Sequence, residues 1–174
     1  MFKKLILLSV LVLLFVIPLQ AQDSSKVFVF FSAFGAFPTD DGAGTYDPWL
    51  GAQFKGTYKT GERFSTGITY KSWQLKAQNS ESDLSGEYIA GNLTYWVHPY
   101  NSKFNLGFMG QLGQSQIANG NEKNDNFAMV YGMVVKKYLY KEVYLVGDVE
   151  IGRFGDLEND ALMISLGVGA PISF

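Results

Sequence analysis

The last fourteen residues, ALMISLGVGAPISF from Ala161 to Phe174, constrain the fold more than any other stretch of the chain. Counting back in twos from the end gives Phe174, Ile172, Ala170, Val168, Leu166, Ile164 and Leu162, all apolar. The interleaved residues, Ser173, Pro171, Gly169, Gly167, Ser165 and Met163, are mostly small or weakly polar. Successive side chains of a strand point to opposite faces, so this segment reads as a strand with one greasy face and one small face. Such a strand suits a closed sheet that is apolar outside and cramped and polar inside.

At 174 residues the chain is long enough for one domain, and no Pro/Gly/Ser-rich linker divides it. Met1–Ala21 reads as a secretory signal peptide. Lys3 and Lys4 form its positive start, Leu5–Ile17 its apolar run, and Pro18-Leu19-Gln20-Ala21 a cleavage site that puts the mature domain at 22–174. A run of this length falls short of the ~20 apolar residues of a spanning helix. With no cysteine there is neither a disulfide nor a lipoprotein acylation site. Removing the signal leaves twelve basic and sixteen acidic residues, a net charge of −4 that argues against a nucleic-acid partner. Charged residues make up 17% of the chain, below the ~25% typical of soluble domains. No later apolar run is long enough for a membrane helix, so any membrane crossing must be made by strands.

Eight strands follow from the period-2 pattern: Lys26–Phe37, Trp49–Lys59, Arg63–Trp73, Glu87–Val97, Lys103–Gly113, Phe127–Leu139, Glu142–Gly152 and Ala161–Phe174. Four long polar loops (Pro38–Tyr46, Gln74–Gly86, Gln114–Asn126 and Arg153–Asp160) alternate with three short turns, at Thr60–Glu62, His98–Ser102 and Tyr140-Lys141. The pattern predicts an all-β, antiparallel, up-and-down barrel with strands long enough to cross a bilayer at a tilt. Pairing the first and last strands leaves no backbone edge unpaired. The first strand has Phe28, Phe30 and Phe34 on one face and Val27, Val29 and Phe31 on the other, so its orientation stays open.

Alternation alone does not distinguish a lipid-facing exterior from a soluble lipocalin-like barrel with an apolar interior. Three features favour lipid outside. The polar face is rich in Gly, Ser, Thr, Asn and Gln, without the Lys/Glu carpet of a wet sheet. Aromatics gather where strands enter the short turns, at Tyr58, Phe64, Tyr95, Phe104 and Phe174, as an interfacial girdle does. The signal peptide also carries the chain across one membrane.

Together the final strand, the girdle and the loop rhythm resemble the small eight-stranded outer-membrane β-barrel proteins of Gram-negative bacteria. The resemblance implies that Phe174, with Ile172, Ala170, Val168 and Leu166 at alternate positions, is read by the outer-membrane assembly machinery. Two departures stand out: Ile172 replaces an aromatic often found there, and Pro171 lacks the N–H of a ladder hydrogen bond, which costs little at a strand end. Some members of that family modify lipid A with a catalytic His and Ser near the outer rim. The lone histidine here, His98, falls in a short turn on the periplasmic side, and no other imidazole is available as a base.

Lys55, Lys71, Lys103, Lys136, Asp148 and Glu150 all fall on inward positions. Unpaired buried charge is costly, so they are expected to pair into a salt-bridge plug that closes the lumen. Asp40, Asp41 and Asp47, like Ser80–Asp83, read as solvated loop because their spacing matches no cation-binding loop. Asn92-Leu93-Thr94 is a glycosylation triplet inside a strand. Gly167-Val168-Gly169 precedes no helix and is no dinucleotide fingerprint.

The sequence thus predicts a monomeric outer-membrane protein that is not an enzyme and carries no cofactor or metal. Its partners are outer-membrane lipids and, during biogenesis, the assembly machinery, and its role is structural or interactive through the outer loops. A lipid-modifying enzyme, a narrow solute channel and a soluble lipid carrier are the alternatives.

Overall fold

A computed structural model describes residues 26–39, 47–76, 83–119, 122–140, 142–154 and 160–173. Eight strands follow in chain order: β1 Lys26–Pro38, β2 Trp49–Lys59, β3 Phe64–Lys76, β4 Asp83–Trp96, β5 Phe104–Asn119, β6 Glu122–Tyr140, β7 Val143–Phe154 and β8 Asp160–Ser173. Each pairs antiparallel with its neighbours in sequence, and β1 pairs with β8 from Lys26↔Ser173 to Pro38↔Ala161. The sheet is a closed cylinder without a free edge. β7 pairs with β8 only as far as Gly169, so Pro171 has no β7 neighbour and bonds within the β1 ladder alone.

Closure makes one face of every strand internal. On β5 and β8, Phe108, Leu112, Leu166 and Val168 point outward, the last two 62% and 51% exposed. A continuous band of large apolar side chains on this scale matches the lipid-facing wall of a transmembrane barrel. β1, ambiguous in sequence, is resolved: Phe28, Phe30 and Phe34 face inward, while Phe31 and Phe37 face outward. Of the girdle residues, Phe64 and Tyr95 lie with ring centroids 5.3 Å apart, and Phe104 is exposed at the start of β5. Tyr58 is half-buried in the same arc. Phe174 lies outside the described residues. Among the residues of the assembly signal, Leu166, Val168 and Ile172 are exposed and Ala170 is half-buried.

Two loops are shorter than expected. β3 and β4 stay paired to Lys76↔Asp83, which leaves only 77–82 of Gln74–Gly86 between them, and Gln114–Asn126 is not a long loop. β5 runs on to Asn119 and β6 starts at Glu122, with pairs continuing to Asn119↔Glu122. Polarity misled the reading, because a ladder that has left the hydrocarbon can be polar on both faces. Here Gln116 Nε2 donates to Asp125 Oδ1 at 2.7 Å across the extended hairpin.

Tight curvature rests on inward glycines. A Cβ at Gly67 would overlap the Gly56 carbonyl, at Gly113 the Ile89 carbonyl, at Gly132 the Val149 carbonyl and at Gly167 the Phe31 carbonyl. At each point one backbone presses against the next, a bend that only a residue without a side chain allows.

The β4–β5 turn is held from below by Asn105, which is fully buried. Its Oδ1 accepts from the His98 N–H at 3.0 Å, and its Nδ2 donates to the His98 and Pro99 carbonyls, each at 3.0 Å. Asn105→Ala leaves the turn's amide and both carbonyls without this partner. Its expected cost is about 2–3 kcal/mol, read as a lowered urea midpoint for unfolding from detergent micelles.

Candidate functional site

The interior is built in three layers, each dictated by which residues fall on inward positions at one height. At the long-loop end, Phe34, Trp49, Trp73, Tyr88, Phe154 and Met163 form an apolar layer. Trp73 packs on Phe154 with ring centroids 5.3 Å apart, over Gly86, where a Cβ would enter the Trp73 ring. The short-turn end is filled by Phe28, Phe30, Trp96, Tyr100, Val134 and Val146.

Between them runs an ionic belt. Lys55 of β2 reaches across the barrel to β7, its Nζ 2.8 Å from Asp148 Oδ2 and 2.8 Å from Glu150 Oε1. Lys71 of β3 pairs with the other oxygen of Glu150. Neutral side chains from other strands complete the carboxylates. Gln111 Nε2 donates to Glu150 Oε1 at 2.8 Å, Ser165 Oγ to Asp148 Oδ1 at 2.6 Å, and Gln53 Nε2 to Asp148 Oδ2 at 3.1 Å. Two cations thus balance two anions, all four almost fully buried. Pairing with this many supporting hydrogen bonds is what makes charge tolerable at such depth. The belt ties β2 and β3 to β7 across the lumen, a cross-link that no ladder hydrogen bond supplies.

Two of the six expected network residues lie elsewhere. Lys136 is buried and inward, yet it sits four residues further down β6 than Gly132, the partner of Glu150, or roughly 13 Å along the strand. Its Nζ donates to the Tyr100 carbonyl at 2.7 Å and is ringed by Tyr100 at 4.1 Å, Trp96 at 4.8 Å, Phe28 at 5.0 Å and Tyr144 at 5.2 Å. Aromatic faces here take the place of a counter-ion. Lys103 is not luminal: its strand begins one residue later, at Phe104, and its side chain is exposed at the rim, 6.0 Å from the Tyr138 ring centroid. Inward phase does not suffice where the strand has not yet begun.

Sequence reasoning missed Gln111, Ser165 and Gln53 as belt partners, although their inward phase was readable. It also missed Tyr100, for which no periodic signal exists in a turn. The Tyr100 N–H donates to the Glu62 carbonyl at 2.8 Å, and its hydroxyl lies 3.3 Å from Thr57 Oγ1. Folded into the barrel mouth this way, its phenol is pushed up to about 12 by burial. His98 lies exposed in the same turn, and Asp47 is exposed before β2. Asp40, Asp41 and residues 80–82 lie outside the described residues. Asn92 is buried in the lumen wall, its Nδ2 donating to Thr69 Oγ1 at 3.0 Å, and Thr94 is buried with it, so the acceptor amide of the triplet is not exposed.

A cavity of about 10 Å³ lies in the lumen beside Lys55, Asp148 and Trp96, room for roughly one water.

No family model matches the chain, and neither does any curated protein. Among solved structures it resembles Neisserial surface protein A (14% identity, TM-score 0.62, covering 83% of this chain and 96% of that one). Outer membrane protein OprG from Pseudomonas aeruginosa is similar at 11% identity and TM-score 0.67, with 88% and 98% covered. So is Ail, the attachment invasion locus protein of Yersinia pestis, at 12% identity and TM-score 0.54, with 87% and 100% covered. At these identities the likeness is one of fold: a small eight-stranded barrel of the outer-membrane type.

Proposed function

We propose that this chain is an integral outer-membrane protein with its short turns and chain ends in the periplasm. Its lumen is closed, and its role, structural or interactive, is carried by the outer loops. The observation that carries this reading is the filled interior, two aromatic layers either side of a charge-balanced belt, inside a wall whose outer face is apolar. An interior so filled among the described residues favours this reading over a channel or a lipid carrier. The segments joining strands at the far end (39–48, 77–82, 120–121 and 155–159) contain six Asp and Glu and no Lys or Arg. Positively charged surfaces are therefore the natural partners of that end. A non-enzymatic role fits the exposed position of His98 in a turn at the opposite end of the barrel.

Planar-bilayer recording tests the closed lumen. The wild-type protein is expected to give no conductance steps. Asp148→Ala combined with Glu150→Ala is expected to lower thermal stability and to produce them. Steps from the wild type, or a double variant as stable and as silent as the wild type, would remove the plug.

A further inference from the structure

The outer wall is not uniformly covered. A groove of about 590 Å³ crosses it diagonally from Thr60, in the β2–β3 turn, to Tyr131 on β6. Its floor is small: Thr66, Gly91 and Gly110 face outward where neighbouring positions carry large side chains. A Cβ at Gly110 would meet no atom within 4 Å. The Thr66 hydroxyl is spent within the wall, Oγ1 donating to the Asn92 carbonyl at 2.9 Å.

Register explains the shape. Phe64, Tyr95, Phe108 and Met133 are successive partners across β3 to β6 and form a ridge below the groove. Ile68, Gly91, Leu112 and Met129 are successive partners above it, with Ile68 and Leu112 supplying bulk. The groove also climbs. Counted from the short-turn end, Thr66 is the third residue of β3, Leu93 the fourth of β4, Gly110 the seventh of β5 and Tyr131 the tenth of β6. It starts at the rim and rises into the apolar band, the path of a lipid tail entering from the interface.

At the foot stand two exposed cations, Lys59 and Arg63, which with the exposed Glu62 in the turn between them leave this segment one net positive charge. The turn between them is fixed, because the Thr60 and Gly61 amides both donate to the Phe64 carbonyl, at 3.0 and 3.2 Å. Neither cation has a carboxylate partner among the described residues. Two unpaired cations at an interface attract a phosphate, and the apolar slot above them takes a hydrocarbon chain.

We propose that the groove binds an anionic phospholipid, one acyl chain lying over Gly110 and the headgroup phosphate held between Lys59 and Arg63. This goes beyond the closed-lumen reading and rests only on the apolar wall facing lipid, so its test is independent of conductance.

The refolded barrel is exchanged in detergent at low salt with phosphatidylglycerol or phosphatidylcholine of identical chains, and retained lipid is counted by native mass spectrometry. Phosphatidylglycerol is expected to be retained at least fivefold better. Lys59→Gln with Arg63→Gln, both on an exposed turn, should bring that ratio close to one, while Lys137→Gln, at the rim away from the groove, should leave it unchanged. Gly110→Phe should reduce retention of both lipids at least threefold, and heat-shifted gel mobility shows that each variant has folded. Equal retention of the two lipids by the wild type would overturn the site. So would a preference that survives the double charge variant, or a second copy of the chain occupying the wall in place of lipid.

Discussion

Glu150→Gln is expected to destabilise the barrel by about 3–5 kcal/mol, the largest effect of any single change in the lumen. Glu150 alone is shared by Lys55, Lys71 and Gln111. Removing its charge leaves two buried ammonium groups facing one carboxylate, Asp148. Lys71 is hit hardest, since its other neighbours are the rings of Phe34 and Tyr88, at 5.6 and 6.0 Å, and the Met163 sulfur. The double variant Lys71→Met with Glu150→Gln restores balance, one cation to one anion, through the 2.8 Å contact between Lys55 and Asp148. It should recover most of the loss. Urea unfolding from micelles measures both. If the double variant is the sum of two independent losses, the belt is not a coupled unit, and its charges act singly.

Gly113→Ala and Gly110→Ala, three residues apart on β5, are expected to behave in opposite ways. Gly113 faces inward against β4, where a methyl would overlap the Ile89 carbonyl and Ala90. Neither neighbour can move without breaking the ladder, because both are backbone or attached directly to it. The expected cost is about 3 kcal/mol or more, at or beyond the upper end of ordinary overpacking, with a reduced fraction of heat-shifted, folded protein on gels. Gly110 faces outward into open space, and its alanine variant is expected within about 0.5 kcal/mol of the wild type. Equal costs at the two positions would mean that strand propensity, not close backbone approach, governs these glycines.

Alternation along β2, β4, β5 and β8 was enough to predict an antiparallel cylinder with its apolar side outward, because a two-residue period leaves each strand one choice of face. Strand number followed from the same pattern, and closure from the cost of an unpaired edge in hydrocarbon. Inward placement of Lys55, Lys71, Asp148 and Glu150 was equally readable. Other features depended on contacts between strands far apart in the chain. Phe28 and Phe31 are chemically alike, so only the neighbours of β1 decide which one enters the lumen. Lys136 shares its phase with the belt but not its height, and height is set by stagger between strands, which no single strand encodes. The β5–β6 hairpin outlasts its apolar pattern because backbone pairing continues in water once the strands are in register. Local chemistry determined the faces of this protein; the shear of the closed sheet decided which side chains meet across the lumen.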